Sequence, residues 1–325
     1  MQTEIENLKS KIIPPFLKPG DLLRVIAPSG ALREFATFER GVEIWRSRGY
    51  KVEISPQIDD KWGYLAGKDE TRRNQLAVAW QDPECRGILC ARGGFGSTRI
   101  LENWNWGVGD TGTWGQGGIS PSSSPAPPKW LIGFSDITAL LWSLEKAGIS
   151  GVHAPVLTTL SSEPDWSIQR LFDWVEGRSI ASLKGSGWGG GVKSGILLPA
   201  NLTVATHLLS TPFQPNLDNV ILAFEDVTEA PYRIDRMLTQ WRMSGALSKV
   251  SGIALGNFTK CEAPPDVPSL SVEEVLRDRL SDLNIPVVSN LPFGHEGPNA
   301  ALPVGVMATL DADEGILNVG ASVTD

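Results

Sequence analysis

The sequence predicts an α/β fold whose first half is built on a mostly parallel sheet, and three observations carry that reading. Apolar runs of strand length recur at residues 21–27, 85–92 and 130–134. Segments with helical spacing follow each of them. The joins are turns such as Pro28-Ser29-Gly30 and Arg92-Gly93-Gly94-Phe95-Gly96. Alternating strands and helices imply a parallel sheet covered on both faces.

Taken in order, the strand at 21–27 closes in its turn and a helix follows over 35–48, with Phe38, Val42, Ile44 and Trp45 supplying its face. A short strand at 51–55, a helix at 69–79, the strand at 85–92 and a helix over 97–104 come next. Residues 107–128 interrupt this order. They are rich in Gly, Ser and Pro and too poor in apolar residues to build a core, so a flexible surface insertion is expected. The strand at 130–134 then runs into a helix over 136–147. There Ile137, Leu140, Leu141 and Leu144 share one face, and Gly148 is placed as the C-cap.

After a helix near 168–175, Lys184-Gly185-Ser186-Gly187-Trp188-Gly189-Gly190-Gly191 reads as an interdomain linker. The pattern then restarts. Strands are expected at 195–198, 220–224, 250–258 and 286–290, and helices at 202–209, 232–243 and 272–283. A hairpin at 306–311 and 315–319 ends the chain. At 325 residues it is long for one core. The division expected is 1–180, a linker at 181–194, and 195–325.

With 41% hydrophobic and 20% charged residues the composition is that of a soluble globular protein. A net charge of −8 argues against nucleic acid or an anionic membrane as partner. Three cysteines (Cys85, Cys90 and Cys261) form no disulfide framework and show no zinc spacing; they read as small buried hydrophobes. The first residues carry acids rather than a signal-peptide core, and no run approaches the roughly 20 apolar residues of a membrane span. A cytoplasmic protein is expected.

Three residues are presented at the ends of apolar runs: Ser135 after Trp130-Leu131-Ile132-Gly133-Phe134, Glu225 after Val220-Ile221-Leu222-Ala223-Phe224, and His295 after Leu291-Pro292-Phe293-Gly294. A nucleophile, a carboxylate and an imidazole are the parts of a serine-hydrolase triad, which is defined by geometry rather than chain order. Ser needs an adjacent base, and a sharp strand-to-helix turn would expose its hydroxyl. Each part has a plainer reading. Ser135 or Asp136 caps the following helix equally well. Asp226 competes with Glu225, and an acid at a strand end is often simply solvated. His207 fits a packed helix face, whereas His153 stays open as a second candidate base. The glycines at 93, 94 and 96 suit an oxyanion hole. No Walker A loop and no His-Glu-x-x-His sequence occurs, so phosphate-loop and zinc-peptidase chemistry fall away.

Taken together, these segments resemble the LD-carboxypeptidase family of serine peptidases, which includes the microcin C self-immunity proteins. The matching stretches include Ala27-Pro28-Ser29-Gly30, Arg92-Gly93-Gly94-Phe95-Gly96-Ser97, Ile132-Gly133-Phe134-Ser135-Asp136, Asn201-Leu202, Phe224-Glu225-Asp226 through Met237-Leu238, and Leu291-Pro292-Phe293-Gly294-His295. Pro199-Ala200 and Glu296 depart from the family pattern. The resemblance implies Ser135 as nucleophile, His295 as general base and acid, and Glu225 orienting the imidazole. The N–H groups of Gly94 and Asp136 would form the oxyanion hole. It further implies a Rossmann-like N-terminal domain, a smaller β-rich α/β C-terminal domain, and a homodimer without cofactor or metal.

The implied reaction releases a terminal D-amino acid, such as D-alanine from a murein tetrapeptide, during cell-wall recycling. The substrate's free carboxylate then needs a cationic partner, for which Arg92 and Arg233 stand beside site segments. Two alternatives remain. One is hydrolysis of an aminoacyl-nucleotide antibiotic, with Trp188 as a surface for the base. The other is a peptide-binding protein without catalysis, in which Ser135 only caps its helix.

Overall fold

The structure, a computed structural model, describes residues 11–102, 104–107 and 127–320. Its first sheet holds β1 (Leu22–Ile26), β2 (Lys51–Ile54), β3 (Cys85–Cys90), β4 (Trp130–Gly133), β5 (Val152–His153) and, from far down the chain, β12 (Leu302–Pro303). The order is β12-β5-β4-β3-β1-β2; all neighbours are parallel except β12, which runs antiparallel to β5. Helices between the strands cover the sheet, so β4 is buried at every position, as a parallel strand sealed on both faces must be.

The second sheet contains β6 (Leu183–Lys184), β7 (Ser186–Trp188), β8 (Val192–Asn201), β9 (Val220–Val227), β10 (Gly252–Thr259), β11 (Val287–Ser289), β13 (Val306–Asp311) and β14 (Ile316–Val319). Its order is β6-β14-β13-β8-β9-β10-β11-β7, with a parallel centre from β8 to β11 and antiparallel flanks. The fold class expected from the sequence is therefore present, including the terminal hairpin of β13 and β14.

One expectation fails locally. The expected linker is not free chain throughout, because β6 and β7 place residues 183–184 and 186–188 in the second sheet. Gly185, Gly187 and Gly189 serve close approach rather than flexibility. A Cβ on Gly187 would lie 1.9 Å from the Ala312 carbonyl oxygen, and one on Gly185 2.2 Å from that of Ser289. The expected insertion at 107–128 lies, from 108 to 126, outside the described residues.

The two sheets share a core. The helix Thr138–Lys146 buries Leu140, Leu141 and Trp142 in the same cluster as Leu198, Phe224 and Trp241. Trp142 donates its indole N–H to the Pro199 carbonyl (3.0 Å), and the Thr138 hydroxyl accepts from the Asn201 N–H (3.0 Å). The helix that follows Ser135 and the end of β8 are thereby held against each other.

Candidate active site

β4 leaves the first sheet through Phe134 and turns so sharply that Ser135 takes φ +63°, a left-handed conformation costing a non-glycine residue about 1–3 kcal/mol. A single 3-10 turn, Ser135–Ile137, leads into the helix Thr138–Lys146. Neither Ser135 nor Asp136 caps the helix that follows, since no side-chain cap hydrogen bond is made at either turn. The Asp136 carboxylate accepts from the Ser29 hydroxyl (2.6 Å) and the Ser97 N–H (2.8 Å), which fastens the turn to the glycine loop. Burial pushes the Asp136 pKa up, and these hydrogen bonds oppose the rise. In the loop, a Cβ on Gly93 would lie 3.0 Å from the Ser135 Cβ, and Gly94 holds φ +111°. Gly94 and Asp136 line the same cavity as Ser135.

The second sheet supplies the other two groups. Glu225 projects from β9 and is wholly buried, so the solvated-terminus reading does not hold. Its Oε2 lies 2.6 Å from His295 Nδ1, and His295 Nε2 lies 2.9 Å from Ser135 Oγ. The structure thus joins all three residues singled out from the sequence into one hydrogen-bonded relay. Burial of the imidazole works to lower its pKa. The charge and hydrogen bond of Glu225, with Asp226 behind, outweigh it, so His295 titrates above the ordinary histidine value.

Asp226 is no rival for the imidazole. It accepts from the Thr203 N–H and hydroxyl (both 2.8 Å) and from Asn201 Nδ2 (3.0 Å). Burial first, then the neighbouring Glu225 charge, raises its pKa to about 6. Asn201 Nδ2 also reaches Glu225 Oε1 (3.2 Å), holding the carboxylate from its far side.

His153 lies wholly buried between Phe134 and Phe293, with ring centroids 5.8 and 6.5 Å away. Neither of its nitrogens has a hydrogen-bond partner among the described residues, and burial lowers its pKa to about 4. It does not touch Ser135 as a base would. His207, expected on a packed face, is exposed; Leu202, Ala205 and Leu208 take the buried stripe of its helix.

Sequence reasoning missed the groups that hold the His295 loop. The Asn257 side chain donates to the Glu296 carbonyl (2.7 Å), and its backbone N–H donates to that of Phe293 (2.8 Å), one on each side of the histidine. Asn299 Oδ1 accepts from the Gly294 N–H (3.1 Å), while its own N–H donates to Glu163 (2.8 Å). Lone amides belong to no motif, so nothing in the sequence marks them.

A cavity of about 620 Å³ opens beside Ser135, lined on one side by Phe95 and Thr98 and on the other by Thr203, Val204, His207 and Phe213. Neither Arg92 nor Arg233 is in its lining. Arg92 donates to the Ala31 carbonyl (2.7 Å), and Arg233 lies exposed beside Tyr232 and Glu229. Among the described residues, no group of His, Cys, Asp and Glu is arranged to hold a metal ion, and no helix is long and apolar enough to cross a membrane. All three cysteines are free and buried.

Comparison with known proteins gives the family. Residues 23–154 match the LD-carboxypeptidase N-terminal domain, and residues 194–310 match the LD-carboxypeptidase C-terminal domain. A Synechocystis sp. protein, itself only provisionally named a carboxypeptidase, is 56% identical over 97% of this chain and 99% of its own. The chain belongs to the LD-carboxypeptidase family. It is accordingly a serine-type carboxypeptidase. The murein tetrapeptide carboxypeptidase of Pseudomonas aeruginosa is 29% identical over 89% of this chain and 92% of its own. The crystal structure of muramoyltetrapeptide carboxypeptidase from Oxalobacter formigenes superposes with a TM-score of 0.78 at 27% identity, covering 92% of this chain and 99% of that one.

Proposed function

We propose that Ser135, His295 and Glu225 form the catalytic triad of an enzyme that removes the terminal D-alanine from murein tetrapeptides. The single observation that carries the reading is the relay itself, 2.9 Å from Ser135 Oγ to the imidazole and 2.6 Å from the imidazole to Glu225. Ser135 Oγ attacks the scissile carbonyl as His295 Nε2 takes its proton, and the buried carboxylate steadies the imidazolium that forms. The N–H groups of Gly94 and Asp136 receive the oxyanion. His295 returns the proton to the departing amine, and water then releases the acyl-enzyme by the reverse relay. His153, wholly buried and with neither ring nitrogen hydrogen-bonded among the described residues, stays out of the proton path.

For the substrate's terminal carboxylate, Arg92 is favoured over Arg233, because it directly precedes Gly93, where an added Cβ would lie 3.0 Å from the Ser135 Cβ. The murein relatives named above support the substrate, and the recycling role in the cytoplasm follows from that reading.

The test compares a murein tetrapeptide with its C-terminal amide, following D-alanine or D-alaninamide release. The free acid is expected to be hydrolysed and the amide not. Equal turnover of both removes the carboxypeptidase step as written. Turnover of an aminoacyl sulfamoyl nucleoside in place of the tetrapeptide moves the substrate to the antibiotic branch.

A further inference from the structure

Trp62, Tyr64 and Phe95 are 49%, 59% and 49% exposed, unusual for three large aromatic side chains that share one corner of a fold. Their backbones are fixed, not loose. Trp62 and Leu65 exchange backbone hydrogen bonds (2.9 and 3.1 Å), Tyr64 accepts from the Ala31 N–H (2.9 Å), and Ala66 donates to Ser29 (3.0 Å). The Gly30 N–H in turn donates to Gly93 (3.1 Å), so the segment carrying Trp62 and Tyr64 is pinned, through residues 29–31, to the glycine loop beside Ser135. Tyr64 and Phe95 lie with ring centroids 5.9 Å apart, and Arg99 stands 5.8 Å over the Trp62 ring while paired to Asp69. Phe95 also lines the cavity at Ser135, which makes the aromatic surface continuous with it.

We propose that Trp62, Tyr64 and Phe95 form a ledge that binds the sugar ring of a glycan-bearing peptide substrate. The proposal rests on the murein reading above and names what lies beyond the peptide. The axial C–H edges of a pyranose carry partial positive charge and pack on the negative faces of aromatic rings. Rigid aromatic side chains offer that contact at low entropic cost. Reach agrees. When the fourth residue of a tetrapeptide is removed, three residues separate the scissile bond from the sugar, roughly 10 Å when extended. Phe95 is two Cα steps from Gly93, at most about 7.6 Å, and the Tyr64 ring lies 5.9 Å from that of Phe95.

Steady-state kinetics of the full chain on two substrates test this: muramoyl-tetrapeptide and the same tetrapeptide without sugar. The wild-type protein is expected to favour the muramoyl substrate in kcat/KM by about five- to tenfold, mostly through KM. Trp62→Ala with Tyr64→Ala is expected to bring that ratio close to one. Equal kcat/KM for both substrates in the wild-type protein overturns the ledge while leaving the murein reading intact, whereas turnover of neither removes that reading itself. A ratio unmoved by the double substitution also overturns the ledge. So does a sedimentation shift to a smaller species without a change of ratio, since the aromatic surface would then be a contact between subunits.

Discussion

The nucleophile turn and the histidine loop meet at one hydrogen bond, yet they are held in opposite ways. Ser135 is set by backbone. It sits between a buried parallel strand and a helix, at φ +63°, with Asp136 fastening the turn to residues 29 and 97. His295 lies in a loop without regular structure, where the Asn257 side chain reaches in from β10 and the Asn299 side chain from further along the same loop. Ser135 is thus held by elements that exist for the fold. The His295 loop leans in addition on two side-chain amides whose loss the fold is expected to survive. Damage to the first region should cost structure and activity together, and damage to the second activity alone.

The sharpest break is the relay itself. Ser135→Ala and His295→Ala are each expected to lower kcat about 10⁴- to 10⁶-fold, with Glu225→Gln somewhat milder. The Ser135→Ala/His295→Ala double variant should be scarcely worse than either single one, which turnover assays beside thermal melts will read. A folded His295→Ala protein with near-normal kcat would remove the imidazole from the reaction.

Next come the amides. Asn257→Ala is expected to lower kcat about 10- to 100-fold through misplacement of the imidazole, with little change in Tm. If kcat holds, the loop is positioned by its other contacts and the contrast between the two regions fails.

The same contrast was visible in what the sequence disclosed. Gly133-Phe134-Ser135-Asp136 followed by Ile137, Leu140, Leu141 and Leu144 marks a strand, a turn and a helix by periodicity alone, and all three are present. His295 stood out by its company of turn residues, but its supports did not, because an amide that crosses between elements leaves no local pattern. Residues 184–191 misled for a related reason. Glycine demanded where a Cβ would meet a carbonyl oxygen at 1.9 Å looks, in one dimension, the same as glycine used for slack.

A pH measurement sharpens the account of the base. His295 must be neutral to take the Ser135 proton, so kcat/KM should rise with pH through a limb lying above 6.5, the ordinary histidine value. In Glu225→Gln the charge that raises the pKa is gone and burial remains, so the limb should move below 6.5. An NMR titration of the His295 ring follows it where turnover is too slow. A limb that moves upward would mean that Glu225 acts by some route other than its charge.

The smallest effect concerns His153, which touches Phe134 on the nucleophile side and Phe293 on the base side. Its folded pKa of about 4 lies below the unfolded 6.5, so its contribution to stability is complete above pH 6.5 and is lost as the pH falls toward 4. His153→Phe should therefore lose less stability over that window, by up to roughly 3 kcal/mol. Urea titrations at pH 7 and pH 4.5 measure the difference. Identical losses in both proteins would mean that water already reaches the ring.

β12 has a consequence for the chain as it is made. The edge of β5 in the first sheet is closed by Leu302–Pro303, about 150 residues later. Ser150 and Gly151 likewise find hydrogen-bond partners at Val304 (2.7 and 2.9 Å). At ordinary ribosomal speeds that edge stays open for roughly 7–30 s during synthesis. A nascent chain with an unpaired strand edge is a target for chaperones and a seed for aggregation. The strand that follows the histidine therefore decides when the half carrying the serine is safe to leave the ribosome.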